Sequence, residues 1–266
     1  MAAHPYEFIR VEKAHGIARL TLARPEQLNA LSRPLLGELN RALDDIRDAG
    51  DARVLMLAGE GRAFSSGADL SRDGSPAGAA GFDAGQVLED YYNPLIERMF
   101  ALPIPIVAAV QGPVVGAGCM IALSSDIVIA ARSAYFLQAF TNVGLVPDAG
   151  SMWLLPRLIG PARAQMMMMM AERIPAEKAR EWGMIYEVVD DGALRPRADT
   201  IAAKLAAGPT RSYELIRRGV RMALQQSLSE ALAMERRAQC DAGNTADFLE
   251  GVAAFREKRR PVFQGK

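Results

Sequence analysis

Arg62-Ala63-Phe64-Ser65-Ser66-Gly67-Ala68-Asp69-Leu70 and Val110-Gln111-Gly112-Pro113-Val114-Val115-Gly116-Ala117-Gly118-Cys119-Met120 are two versions of one device. Each is a glycine-bearing turn behind an apolar, β-favouring run (residues 54–58 and 104–110), and each leads into a helix-forming segment. Small residues leave backbone N–H groups uncovered at such a turn, so one ligand oxygen can approach two of them at once. Either turn alone is commonplace and usually only structural. Two in one chain suggest a pair of amide donors aimed at an anion, the arrangement that stabilises an enolate or another oxyanion.

Working outward, residues 8–11 and 17–22 read as strands around a turn at 13–16. Leu35, Leu36, Leu39, Ala42, Leu43 and Ile46 recur at helical spacing, which predicts an amphipathic helix over 34–48 with Pro34 in its first turn. Residues 71–85 are poor in apolar side chains and rich in Gly, Ala and Asp, and they read as a mobile loop. A helix is expected over 87–101, ended by Pro103 and Pro105. Further strands are expected at 106–110, 127–131, 134–137 and 185–189, and helices at 116–124, 151–159, 161–171 and 176–182. From residue 198 onward the pattern is helical only, over about 198–207, 209–225, 227–241 and 245–258. Strands that alternate with helices predict a parallel α/β core. Because the strands are short and the order strand–strand–helix recurs, a stacked spiral of ββα turns fits better than one doubly wound sheet. The expected organisation is a core over residues 1–197 and a helical packing or oligomerisation region over 198–266.

The whole chain narrows the function classes. At 266 residues it can bury a full core. Lys+Arg and Asp+Glu are both 31, so no general charge excess points to nucleic acid or a membrane surface. Arg256, Lys258, Arg259, Arg260 and Lys266 form the one local basic excess, suited to phosphates or simply to solvent. The cysteines, Cys119 and Cys240, show no pairing pattern, and residues 1–10 hold no long apolar run; a reduced, cytoplasmic protein is expected. No His/Cys cluster suggests a metal, and His4 and His15 both lie near the N-terminus. The Met166–Met170 run reads as soft packing in a core or subunit contact, not as a metal site.

One carboxylate stands out. Asp148 lies between Pro147 and Ala149-Gly150, behind an apolar turn and ahead of the helix at 151–159. As an N-cap it would do a common job. As a carboxylate held in an apolar pocket it would be a proton shuttle with a raised pKa. Local sequence favours the cap.

The paired turns, together with Pro147-Asp148-Ala149-Gly150, Glu181-Trp182-Gly183-Met184 and Glu250-Gly251-Val252-Ala253-Ala254-Phe255-Arg256-Glu257-Lys258-Arg259, resemble the crotonase (enoyl-CoA hydratase/isomerase) superfamily over nearly the whole chain. The resemblance implies a crotonase-like spiral of ββα turns with a C-terminal all-helical trimerisation region, in a trimer or a dimer of trimers. It implies an acyl-CoA thioester as substrate, whose carbonyl oxygen is bound by the N–H groups of Ala68 and Ala117. Coenzyme A enters as part of that substrate, and no separate cofactor or metal is implied. Phe255 and Lys258 fall on the family's Phe-x-x-Lys, where the aromatic packs on adenine and the lysine meets a phosphate, often across subunits. The Asn29-Ala30-Leu31-Ser32 loop matches a CoA-lining segment, with backbone contacts near Ala30.

The departures from the pattern matter more. Family hydratases carry glutamates where this chain has Met120 and Phe140, and neither replacement can activate water. Asp148 falls where some family isomerases keep a working aspartate. Tyr91-Tyr92-Asn93-Pro94-Leu95 and Asp247-Phe248-Leu249-Glu250-Gly251-Val252 are similar to the branch that rearranges ring epoxides of aryl-acetyl-CoA thioesters and shifts 3-enoyl-CoA double bonds. The expectation is an isomerase with Asp148 as acid/base. A hydratase is the alternative, and a non-catalytic acyl-CoA-binding subunit is the alternative of another class.

Overall fold

The structure, a computed structural model, describes residues 6–70 and 83–266. Most of the loop expected at 71–85 lies outside them. Strands β1 (Ile9–Ala14) and β2 (Ile17–Leu22) form an antiparallel hairpin whose turn uses His15 and Gly16 at positive φ. Ser32 accepts a hydrogen bond from the Leu35 N–H and starts helix α1 (Arg33–Ala49), which ends at Gly50 in the left-handed conformation. Strand β3 (Val54–Gly59) then returns parallel to β2.

A repeating passage follows. Helix α2 (Asn93–Ala101) leads to β4 (Ile106–Val110), β5 (Pro113–Val115) and α3 (Gly116–Leu123). Next come β6 (Ile127–Ala131), β7 (Tyr135–Leu137), α4 (Ser151–Ile159) and α5 (Pro161–Met170). Then come β8 (Ile174–Pro175), α6 (Ala176–Glu181) and β9 (Glu187–Val189). One sheet has the order β1-β2-β3-β4-β6-β9 and the other β5-β7-β8. From β4 onward each turn of the chain gives one strand to each sheet and includes a helix, which is the spiral.

Alternation along the strands builds two cores. Leu55, Leu57, Ile106 and Ala108 face the helices α1, α2 and α3 in the larger cluster. Val54, Met56, Val107, Ala109 and Ile129 face the other way, onto Leu194, Ala198, Ile201 and Ala202 of α7 (Leu194–Ala206). Each such fully buried aliphatic side chain contributes about 1.5–3 kcal/mol. Helix α7 begins four residues before the expected helical region, and its apolar face lies on the sheet.

Helices α8 (Thr210–Ala223), α9 (Leu228–Gly243) and α10 (Ala246–Arg256) follow. Buried Arg217 fastens α8 to the spiral, donating to Asp126 Oδ2 at 2.6 Å, to the Met99 carbonyl at 3.1 Å and to the Leu102 carbonyl. Arg221 lies over the Phe100 ring and donates to its carbonyl. Asp126 also accepts the Ile106 N–H, so it is a junction between β4 and α8. Ile216, Val220, Leu224, Leu228, Leu232 and Leu249 leave an apolar face of these helices exposed. Among the described residues no helix is long and apolar enough to cross a membrane.

The structure corrects three local expectations. Residues 113–115, read as part of a turn, pair with β7. The short strand β8 had no signal in the sequence. The helix expected at 87–101 is a π-helical turn, Leu88–Tyr92, followed by α2. In the methionine run only Met167 is fully buried, while Met169 and Met170 are exposed.

Candidate active site

The two glycine turns lie side by side because their backbones are paired. Ser65 N–H donates to the Pro113 carbonyl at 3.1 Å, and Val115 N–H donates to the Ser65 carbonyl at 3.0 Å. On the other side, Leu31 N–H donates to the Gly67 carbonyl at 2.8 Å, and Asp69 N–H donates to the Leu31 carbonyl at 3.2 Å. Glycine is required at the contact. Gly67 has φ +89°, and a Cβ there would lie 3.1 Å from the Val115 carbonyl oxygen. Gly116 has φ +53°, and its Cβ would lie 4.0 Å from Gly67 Cα.

Ala68 and Ala117 each stand one residue beyond that contact. In the pairing with Leu31 the neighbours of Ala68 make the bonds, so its own N–H points elsewhere. Ala117 is the second residue of α3, whose first amides have no carbonyl behind them. Among the described residues neither N–H meets an acceptor. Ala117 is buried and Ala68 exposed. The Phe140 ring packs 3.7 Å from the Cβ position of Gly116, and Met120, one turn into α3, is fully buried. The surroundings of the amide pair are apolar.

A hydrogen-bonded chain runs from α3 to Asp148. Gln138, fully buried, donates to Met120 Sδ at 3.4 Å, and its Oε1 lies 3.2 Å from the Ser151 hydroxyl. The single proton of that hydroxyl is shared between Gln138 Oε1 and the Asp148 carbonyl, which lies 2.7 Å away. The Asp148 side chain is no cap. The N-cap of α4 is Gly150, with no side-chain hydrogen bond. The first amides of the helix are served by main chain, Ser151 N–H by the Asp148 carbonyl and Leu154 N–H by the Gly150 carbonyl. Asp148 Oδ1 is buried with no hydrogen-bond partner among the described residues. Burial pushes its pKa up to about 7, opposed only by its own backbone N–H.

The other expected residues are placed as follows. Ala30 is buried beside Ala68, through the Leu31 pairing. Its N–H donates to the Gln27 carbonyl and its carbonyl accepts Arg24 Nη1 at 2.6 Å. Leu28 and Asn29 before it both have positive φ, held by the buried Asn29 side chain, which bonds to Arg24, Glu60 and Ala63. Phe255 is 85% exposed at the end of α10, and Lys258 follows at φ +53°. Among the described residues neither makes a hydrogen bond to Ala68, Ala117 or Asp148. Asp69 forms an ion pair with Arg24 at 2.9 Å, both side chains almost fully buried. Sequence reading missed that pair and the Gln138–Ser151 link, because no spacing rule joins residues 45 or 13 positions apart.

Comparison with known proteins agrees with this architecture. The model of the family described as enoyl-CoA hydratase/isomerase matches residues 12–266. The chain belongs to the enoyl-CoA hydratase/isomerase family. It is 45% identical to a protein of Rhodobacter capsulatus called a probable enoyl-CoA hydratase, over 98% of this chain and 99% of that one. It is 44% identical to the 1,2-epoxyphenylacetyl-CoA isomerase of Escherichia coli, with the same coverage. The crystal structure of an enoyl-CoA hydratase from Bacillus anthracis superposes with a TM-score of 0.89 at 35% identity, over 98% of this chain and 100% of that one. The fold is therefore crotonase-like, and family membership makes the chain an enzyme of the hydratase/isomerase type acting on acyl-CoA thioesters. These relatives carry both reaction names, so likeness alone does not choose between them.

Proposed function

We propose that the protein is an acyl-CoA isomerase that moves a proton through a thioester enolate. The observation that carries this reading is the unpartnered, desolvated Oδ1 of the Asp148 carboxyl, on a residue whose main-chain carbonyl is tied through Ser151 and Gln138 to the helix whose N-terminus presents Ala117. In this account the Ala68 and Ala117 N–H groups bind the thioester oxygen. The Asp148 carboxylate takes a proton from the α-carbon of a 3-enoyl-CoA, negative charge collects on the oxygen, and the proton returns at the γ-carbon. A pKa near 7 suits both halves, because the group gains and loses the proton with little free-energy cost at neutral pH. Each amide donor is worth roughly 10²- to 10³-fold in turnover.

Hydration needs groups to hold and deprotonate water, and Met120 and Phe140 supply none. The likeness to the Escherichia coli isomerase supports the same chemistry on a ring epoxide of phenylacetyl-CoA, where an oxyanion and a proton shuttle are again what the rearrangement needs. Coenzyme A itself would be held along the Ala30 loop and by Phe255 and Lys258. Phe255 at the exposed end of α10, with Lys258 just beyond it, would serve a site on a neighbouring subunit of a trimer or a dimer of trimers. The protein would act in the cytoplasm with no separate cofactor or metal.

The deciding assay mixes purified protein with a 3-enoyl-CoA and follows the gain of conjugation, then with a 2-enoyl-CoA and follows its loss. Isomerisation predicts fast gain in the first. Fast loss in the second with no gain in the first would make it a hydratase, and silence in both with tight acyl-CoA binding would make it a binding subunit.

A further inference from the structure

A helix N-terminus attracts a nearby carboxylate, and Asp148 lies three residues ahead of Ser151, the first residue of α4. What keeps its side chain away from that end is the turn between them. Ala149 has φ +47° and Gly150 φ +81°, two consecutive left-handed residues, of which only glycine adopts that conformation freely. Ala149 is also packed in the core at 2% exposure, so the strained residue is fixed from outside. The turn is closed by two bonds to the Asp148 carbonyl, from the Ser151 N–H at 2.9 Å and from the Ser151 hydroxyl at 2.7 Å. Ser151 is fully buried and is braced by Gln138, which is fully buried too and anchored on Met120 of α3.

We infer that Ser151 and Gln138 are positioning residues. Their buried link to α3 holds the Asp148-Ala149-Gly150 turn in its left-handed form, so that the Asp148 carboxyl is kept off the start of α4 and free for a substrate carbon. The inference rests on the isomerase reading for its catalytic consequence but not for its structural one. Among the described residues, the charges on the neighbouring helices are engaged elsewhere or exposed. On α4, Arg157 is stacked 4.2 Å over Trp153 of its own helix. On α2, Glu97 is exposed and Arg98 is bound to Asp44 of α1. On α3, the Cys119 thiol beside Gln138 is pushed up to about 12 by burial and stays neutral.

The test is Ser151→Ala, read in two ways. Carbon-13 NMR of the free protein follows the Asp148 carboxyl through its titration, with the resonance assigned by its loss in Asp148→Asn. Steady-state kinetics on a 3-enoyl-CoA gives kcat and KM. The expected result is a titration midpoint lowered by at least about one pH unit, since a helix N-terminus favours the charged form. With it comes a kcat lower by roughly 10²-fold at nearly constant KM, the cost of a displaced catalytic group. Gln138→Met removes the amide at similar volume and should move both quantities the same way, so the claim stays testable if Ser151→Ala does not fold. A midpoint and kcat that stay in place in the folded variants would overturn it. The titration needs no turnover, so it decides the positioning claim even if Asp148→Asn stays active, a result that would sink the base assignment alone.

Discussion

Asp69 and Asp148 each follow small or rigid residues on a turn beside the candidate site, and they live in opposite surroundings. Asp69 is buried against the Arg24 guanidinium, which also holds the Ala30 carbonyl and lies over the Phe8 ring. Its charge is matched, and its work is to tie the 24–31 loop to the turn that carries Ala68. Asp148 is half-buried with its Oδ1 enclosed and unmatched, and its pKa rises to about 7. The difference teaches what separates a carboxylate whose charge the fold matches from one it leaves unmatched, the state that the proposed proton shuttle needs.

The largest expected effect separates the two sites by turnover. Asp148→Asn should lower kcat for a 3-enoyl-CoA by roughly 10²- to 10⁴-fold while acyl-CoA affinity, measured by calorimetry, is preserved. A variant that binds and turns over normally would remove Asp148 from the chemistry. At Asp69 the loss should appear as stability. Arg24→Met breaks a buried ion pair and should cost up to about 3–5 kcal/mol in denaturant unfolding. An unchanged midpoint there would erase the contrast.

A third prediction works through pH. The folded protein holds the Asp148 proton more tightly than an unfolded chain, whose aspartate titrates near its ordinary value of 3.8. Stability from this group is therefore full below about pH 4 and is lost as pH rises through about 7. Asp148→Asn should then make the protein more stable at pH 8 by about 1–3 kcal/mol, with the gain shrinking toward pH 4. A variant destabilised at pH 8 would mean that the carboxylate is better satisfied than the structure implies. The smallest effect tests the outlying residue of the CoA assignment. Phe255→Ala should change unfolding free energy by less than about 0.5 kcal/mol, because its ring is 85% exposed, yet raise KM for acyl-CoA. Unchanged KM would leave that ring without a role in binding.

What the sequence made legible follows the range of the forces involved. The glycine turns could be read because positive φ at Gly67 and Gly116 is a local demand that only a few residues meet. The helix α1 could be read because its buried residues repeat within the helix itself. Pro113–Val115 was missed as a strand because its partner lies at 135–137, and a three-residue strand has too short a period to show. The role of Asp148 could not be chosen locally, since an Asp ahead of a helix caps it or not depending on the two residues between. Here Ala149, an L-residue in the left-handed region, gives no hint in the sequence that it will adopt it. The Arg24–Asp69 pair likewise needs the folded chain to bring its partners together. The places proposed for Phe255 and Lys258 came from resemblance alone.

The most direct measurement is a crystal structure with a non-reactive 3-enoyl-CoA analogue bound. The account predicts the thioester oxygen about 2.7–3.1 Å from both the Ala68 and Ala117 nitrogens. It also predicts an Asp148 carboxyl oxygen within about 3.5 Å of the α- or γ-carbon. A thioester oxygen held elsewhere, or an Asp148 carboxyl turned onto the amides of residues 151–153, would contradict it.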